Sequence, residues 1–326
     1  MSVSCSDFMP VPPASLKSVV QTPLHCSSAE EQESMITAVP FVREGYPADL
    51  VAKSRTFLTE TLAIFPRGPV VKACVQYLFE RYPRHAERAD RIATPLGIDP
   101  LDLFAGNLCY DLFMGGSGMG CSTMALPTPE GPMLARNMDW PPADKIAQAS
   151  CLVAEEFGVN AGFLGMVGVV TAQSNKGFAL SINAVEGRPD FDGYPMLLFL
   201  RDVLDTARDF DDALARVQGE RLMSGGIITL VGTANHQRAI VERTAGDAVT
   251  RTAREDEPLM ATNHYRAMTR PEVCGRYAYL AAHAGKVPPL EILTHPEVLQ
   301  SITAQHIVLQ PATGRAEMYV PTHLLR

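Results

Sequence analysis

The sequence predicts a layered α+β protein in which a helical front segment leads into a mostly antiparallel sheet assembly. Three observations carry this. Between Pro47 and Phe113, apolar residues recur at three- and four-residue spacing, the mark of amphipathic helices. From Ser122 onward, short segments rich in apolar or small residues are separated by glycine or polar breaks, as in strands. These strands come in runs rather than in strict alternation with helices. At 326 residues, 46% hydrophobic and 20% charged, the chain can bury one large core or two modest ones.

Taken in order, residues 1–40 are rich in serine and proline with an acidic patch at Glu30-Glu31-Gln32-Glu33, and read as a flexible leader. Helices are expected at Ala48–Leu62, Pro69–Arg81 and His85–Ile92. Asp99-Pro100-Leu101-Asp102 starts another, with Asp99 as N-cap, proline in the first turn and an acid at the positive end of the helix dipole. This helix carries Leu101, Phe104, Leu108 and Leu112 on one side and ends at the glycine-rich run from Gly115 to Gly118. Strands follow at Ser122–Leu126, Pro132–Asn137, Cys151–Glu156, Phe163–Ala172 and Gly177–Ala184. Two helices, Met196–Thr206 and Asp211–Val217, precede strands at Gly226–Gly232, Arg238–Arg243 and Ala248–Ala253. Tyr277–His283 and His295–Ala304 read as helical, and His306–Gln310 with Ala316–Val320 as a closing pair of strands. There is no internal repeat. The chain divides into a leader (1–40), a helical region (41–120) and a strand-rich region (121–326).

A formal net charge of −8 and a pI near 5.5 argue against a nucleic-acid partner. No apolar run approaches the ~20 residues needed to span a bilayer, and the first residues lack a secretion signal's basic start and apolar stretch. Membrane contact is expected to be peripheral at most, and the default location is the cytoplasm. The seven cysteines, at 5, 26, 74, 109, 121, 151 and 274, are scattered, odd in number and free of CxxC pairs. That pattern fits neither a disulfide framework nor a zinc site, so most read as small buried hydrophobes and no metal or organic cofactor is implied.

Cys121 stands apart because of its neighbours. It follows the glycine-rich joint Gly118-Met119-Gly120 and precedes Arg136-Asn137-Met138-Asp139-Trp140 by fifteen residues. A cysteine there can attack its own preceding peptide bond, since glycine offers little steric hindrance. Once freed, it carries a nucleophilic sulfur and an α-amine titrating near ~7.7–8.0, so nucleophile and base share one residue. Arg136 would stabilise a thiolate, and Asp139 would orient the new ammonium. Without Cys121 upstream, Arg136 and Asp139 would read as a structural ion pair. The glycines also suggest a nucleotide loop, but a phosphate cradle needs strand before helix, and here a helix comes first. The eight histidines, His264 among them, form no recognisable Cys/His motif.

Cys121-Ser122-Thr123 and Ala135-Arg136-Asn137-Met138-Asp139-Trp140 resemble the start of the catalytic chain in N-terminal-nucleophile cysteine hydrolases of the acid ceramidase, N-acylethanolamine acid amidase and choloylglycine hydrolase group. Thr94-Pro95-Leu96-Gly97-Ile98 and Asn107–Phe113 look like the last helices of the acid ceramidase pro-region. Asn175–Asn183 resembles the family's glycine-turn hairpin ending in asparagine. Ala261-Thr262-Asn263-His264-Tyr265 resembles a segment shared with penicillin acyltransferases, and Arg276 follows Asn263 by thirteen residues, where the family places a second arginine. The serine at 122 is a mild departure. The glycine-rich junction is longer than that of acid ceramidase, and Gly120-Cys121 is closer to the penicillin-type acyltransferases.

The resemblance implies a four-layer αββα sandwich and self-cleavage between Gly120 and Cys121 into an α-chain and a β-chain. Cys121, Arg136, Asp139, Asn263 and Arg276 are its catalytic set. Asn263 is expected to donate to the oxyanion, an interaction worth about 2.7–4 kcal/mol where it has been measured. Asn183 would help bind the scissile carbonyl or the exposed amine, Glu186 sits where the ceramidase-like branch carries an acid, and Arg276 would orient the site. The implied reaction is hydrolysis of a lipophilic N-acyl amide, N-acylethanolamine- or ceramide-like, with a penicillin-V or bile-salt amide next. Acyl transfer from a thioester to an amine is the other reaction, and a non-catalytic acyl-ligand-binding relative is the alternative class. Leu101, Phe104, Leu112, Phe113, Met114 and Met119 read equally as an acyl channel or as packing core.

Overall fold

A computed structural model of the chain describes residues 35–43, 48–64, 68–114 and 118–326. Two sheets dominate. The first has six strands in the order β1 (Ile36–Ala38), β14 (Arg315–Pro321), β13 (Thr303–Gln310), β4 (Met133–Asp139), β3 (Gly120–Leu126), β12 (Leu259–Ala261). The second has eight: β11 (Ala248–Arg251), β10 (Arg238–Arg243), β9 (Gly226–Val231), β8 (Phe178–Asn183), β7 (Thr171–Ser174), β6 (Gly158–Phe163), β5 (Ser150–Glu155), β2 (Phe41–Val42). Neighbours pair antiparallel except β2 with β5.

The side-chain alternation of the strands sorts the core into layers. Ala125 of β3, Leu134 of β4 and Ile307 of β13 meet Leu152, Ala179, Ile227 and Ile240 of the larger sheet, forming the apolar filling between the sheets. The opposite face of the smaller sheet, with Met124, Met133 and Val308, packs on helices α8 (Gly275–His283) and α9 (Pro289–Thr294) through Leu280, Ile292 and Leu293. The far face of the larger sheet, with Ala172, Phe178, Leu180 and Val241, is covered by α6 (Met196–Thr206), α7 (Phe210–Gly219) and the front helices. The result is the four-layer αββα arrangement. The front helices are α1 (Ala48–Ile64), α2 (Pro69–Arg81), α3 (Pro83–Leu96) and α4 (Pro100–Asn107), and a short α5 (Ala143–Ala149) joins β4 to β5. Asp99 caps α4, its carboxylate accepting from the N–H groups of Leu101 and Asp102. Among the described residues, no helix is long and apolar enough to cross a membrane.

Several elements depart from expectation. His295–Ala304 is not a helix: α9 ends at Thr294, the chain turns, and β13 begins at Thr303. Pro296 disfavours helical backbone at His295, which explains the stop. The expected strand Phe163–Ala172 splits into β6 and β7 around a loop in which Gly165 has φ +108° and Gly168 packs directly on Leu197. The helix expected to run from Leu101 to Leu112 ends at Asn107, and a π-helical turn, Tyr110–Met114, follows. Part of the expected leader is ordered, since Ile36–Ala38 pairs with β14; residues 1–34, including Cys5, Cys26 and the acidic patch, lie outside the described residues. Leu101, Phe104 and Leu112 belong to the helix-packing core, with Met119 half-buried against it, while the side chains of Phe113 and Met114 lie outside the description.

Candidate active site

Cys121 is the second residue of β3, between β4 and β12, and its side chain is 5% exposed. In the β3–β4 register Gly120 faces Asp139, Cys121 faces Met138 and Thr123 faces Arg136. Arg136 therefore lies on the same face as Cys121 and reaches it diagonally, as only a long side chain can. Its Nη2 donates to Cys121 Sγ at 2.7 Å, while Nη1 donates to Val170 O at 3.1 Å and Thr171 Oγ1 at 2.8 Å. Both arms of the fork are held, so the guanidinium is fixed against the sulfur.

Asn263, two residues past β12, accepts the Cys121 N–H on Oδ1 at 3.0 Å. Its Nδ2 donates to Ala184 O at 2.8 Å. One Nδ2 hydrogen is thereby engaged by the Ala184 carbonyl, while Oδ1 faces the Cys121 backbone. Two donors, Cys121 N–H and Arg276 Nη2 (2.9 Å), converge on Oδ1 and fix the orientation of the amide. Arg276, in the first turn of α8, also donates from Nη1 to Cys121 O at 2.8 Å and to Ser122 Oγ at 3.2 Å, and lies 3.5 Å from Asp139 Oδ2. The backbone of Cys121 is therefore clamped at both its N–H and its carbonyl by side chains from the far end of the sequence.

Asp139 is fully buried, and its Oδ1 accepts from Thr303 Oγ1 at 2.6 Å. A Cβ at position 120 would stand 2.9 Å from Asp139 Oδ2 and 3.0 Å from its Cβ, so glycine is what permits this carboxylate to sit beside the junction. Burial raises the Asp139 carboxyl above the ordinary range, against the Thr303 hydrogen bond and the two arginines. Burial likewise raises the Cys121 thiol, and it outweighs Arg136 together with the backbone N–H groups of Asp139 and Ala184, which favour the thiolate. The expected thiolate stabilisation by Arg136 is present in sign, yet desolvation keeps the net shift upward. Cys109 and Cys151, with no guanidinium against them, are pushed by burial up to about 12.

The remaining expected residues fall differently. Asn183 is buried at the end of β8, but its Oδ1 accepts from Thr123 Oγ1 (2.7 Å) and its Nδ2 donates to the carbonyls of Ala261 and Thr262 (3.2 and 3.1 Å). It ties β3, β8 and the end of β12 together. Glu186 is exposed on the loop after β8, and the structure does not bring its carboxylate into the Cys121 network. Sequence reasoning missed Thr303, which pins Asp139, and Ala184, whose carbonyl holds the Asn263 amide. Nothing local distinguishes that threonine, and a backbone acceptor leaves no trace in residue identity. Among the described residues, no cluster of His, Cys, Asp and Glu is placed to hold a metal ion.

A solved structure from Caenorhabditis elegans, an N-acylethanolamine-hydrolyzing acid amidase ortholog, matches with a TM-score of 0.51 at 18% identity, covering 59% of this chain and 93% of that chain. At that identity the likeness is one of fold. A sequence comparison with curated proteins finds no match. The family model of acyl-coenzyme A:6-aminopenicillanic acid acyl-transferase matches residues 126–304, a span that includes Arg136, Asp139, Asn263 and Arg276 and begins just after Cys121. The chain belongs to this acyl-transferase family, within the N-terminal-nucleophile group that its sequence resembles.

Proposed function

We propose that this protein is a self-processing cysteine amidase that cleaves the C–N bond of a linear N-acyl amide through a thioester on Cys121. The observation that carries the reading is the clamp on one residue: Arg136 Nη2 at 2.7 Å from the sulfur, Asn263 on the Cys121 N–H and Arg276 on its carbonyl. A structural cysteine needs none of these; a nucleophile attached to its own base needs its backbone and side chain fixed together.

In the uncut chain, Sγ attacks the Gly120 carbonyl carbon and its proton passes to the Cys121 nitrogen as the C–N bond breaks. Water hydrolyses the resulting thioester, leaving a Gly120 carboxylate and a free Cys121 amine. Residues 41–120 then form the body of an α-chain packed on a 121–326 β-chain. Arg88 of α3 against Asp205 of α6 at 2.6 Å is one of the ion pairs that would hold them together. In the cleaved protein, the α-amine takes the thiol proton, Sγ attacks the acyl carbonyl, and the amine leaving group departs with that proton. Water then releases the acid. The second Nδ2 hydrogen of Asn263, whose first is held by the Ala184 carbonyl, is the donor assigned to the oxyanion.

A lipophilic N-acyl amide, of the type named for the nematode amidase, is the favoured substrate class. The family match favours a second reaction at the same thioester, in which an amine rather than water accepts the acyl group. Intact mass of wild type and Cys121→Ala under denaturing conditions tests the nucleophile. Two fragments split between Gly120 and Cys121 in wild type alone support it, and an uncut wild type across acidic and neutral pH removes the α-amine from the mechanism. Product analysis with and without an added amine then separates hydrolysis from transfer.

A further inference from the structure

We infer that Thr303 is a positioning residue for the chemistry at Cys121, its hydroxyl fixing the Asp139 carboxylate so that one oxygen faces the Gly120–Cys121 junction. This rests on the self-processing reading proposed above. The observation behind it is an irregularity in the smaller sheet. Along the pairing of β13 with β4, His306 faces Asn137 and Gln305 faces Met138, so a regular ladder would set Ala304 opposite Asp139. The register shifts there, and Thr303 faces Asp139 instead. Ala304, the extra residue, is fully buried in the apolar core. Bulges re-aim side chains beside active sites, and this one puts a hydroxyl where the regular ladder would leave a methyl group.

The hydroxyl is oriented from behind. Thr303 is 2% exposed, and its Oγ1 accepts the Gln300 N–H at 2.9 Å, so its own proton is directed to Asp139 Oδ1 at 2.6 Å. Backbone bonds hold both partners in place. Thr303 N–H donates to Gln300 O at 3.0 Å, and the N–H of Trp140, next to Asp139, donates to Ile302 O at 2.9 Å. With Oδ1 engaged, the rotation of the carboxylate is fixed. Oδ2 is then the oxygen 3.5 Å from Arg276 Nη1 and 2.9 Å from where a Cβ on residue 120 would stand. The charged or titratable groups acting on Asp139 are Arg276 from α8, Arg136 from β4 itself and Cys121 from β3. Burial raises the Asp139 carboxyl, and the Thr303 bond is the largest of the effects holding it down, ahead of both arginines. Thr303 thus acts on Asp139 twice, by aiming Oδ2 and by favouring the carboxylate that a newly released Cys121 ammonium needs as its partner.

The experiment follows cleavage of the full-length chain by intact mass over a series of pH values, in wild type, Thr303→Val and Thr303→Ser. Valine keeps the shape and loses the donor; serine keeps the donor and loses a methyl group. Thr303→Val is expected to cut about tenfold more slowly at neutral pH, a fraction of the 10² that misplacing a reacting group can cost. Without the donor the carboxylate binds its proton more readily, so on acidification it is lost at a higher pH. The acid limb of the rate profile should therefore move up by about one pH unit, the effect of losing one hydrogen bond to a charged group. Thr303→Ser should restore both rate and limb. Slowing that is equal at every pH with the limb unmoved, or a failure of serine to rescue, marks a structural residue and overturns the inference. Should Thr303→Val fail to fold, Thr303→Cys, a weaker donor of similar size, should move the limb the same way by less, and an unmoved limb there overturns the inference equally. Thr303→Val cutting with the wild-type rate and profile overturns this inference alone. A wild type that cuts at no pH overturns the proposed function and this inference with it.

Discussion

Replacing Arg276 with methionine keeps the length and apolar stem of the side chain and removes its four polar contacts. Asp139 would stay buried with Thr303 as its hydrogen-bond partner, while Cys121 O and Asn263 Oδ1 would each lose a donor at 2.8–2.9 Å. Breaking a buried charge pair from one side costs about 3–5 kcal/mol. Because the Arg276 side chain is 18% exposed, water offsets part of this, and the lower end, about 3 kcal/mol, is expected. For a chain of 326 residues that corresponds to a melting point lower by about 4–5 °C. The comparison belongs in a Cys121→Ala background, where cleavage cannot confuse the reading. With Cys121 intact, self-cleavage should slow by about 10²-fold, the effect of losing the alignment of a reacting group. Arg276→Lys separates the two effects: a point charge restores most of the stability, but it cannot serve Cys121 O and Asn263 Oδ1 at once, so cleavage stays slow. Arg276→Met melting within about 2 °C of its parent and cutting at the parental rate would refute the clamp argument.

Two further outcomes follow from buried titratable groups. Glu242, fully buried, accepts the N–H groups of Arg266, Ala267 and Met268 at 2.8–2.9 Å and Arg251 Nε at 2.8 Å, shaping the loop after Asn263. Glu242→Gln turns a donor toward these donors and should cost about 3 kcal/mol in urea unfolding while slowing cleavage; a loss below about 1 kcal/mol would contradict this. Burial lowers the His306 imidazole to about 4, so it contributes about 3 kcal/mol that is present above its unfolded value of 6.5 and lost as pH falls toward 4. Burial raises the Asp111 carboxyl from 3.8 to about 7, which has the opposite sign: stability falls as pH rises through that window. The two oppose each other between pH 4 and 6.5. His306→Asn should therefore become more stable on acidification over that range and Asp111→Asn less stable, read by melting temperature against pH; parallel slopes in the two variants would disprove the assignment.

The sequence by itself determined the layered α+β class, most helices and strands, and the pairing of Cys121 with Arg136 and Asp139. Periodicity reports burial of a face, and Met196–Thr206 and Pro69–Arg81 lie where that periodicity places them. Cys121, Arg136 and Asp139 are legible because neighbouring strands in a hairpin bring nearby residues into register. It was less informative wherever the deciding partner is distant or is backbone. The strands Ile36–Ala38 and Phe41–Val42 exist only because β14 and β5 offer edges to them. The direction in which Asn263 points depends on Arg276 and Cys121 both donating to one oxygen, and the bracing role of Asn183 depends on β3, β8 and β12 meeting. The sign of the shift on Cys121 was also hidden, because desolvation is a property of everything packed around the sulfur, while a guanidinium fifteen residues away is visible in the chain. Tertiary structure decided these points because hydrogen-bond direction and burial are set jointly by groups that have no proximity in sequence.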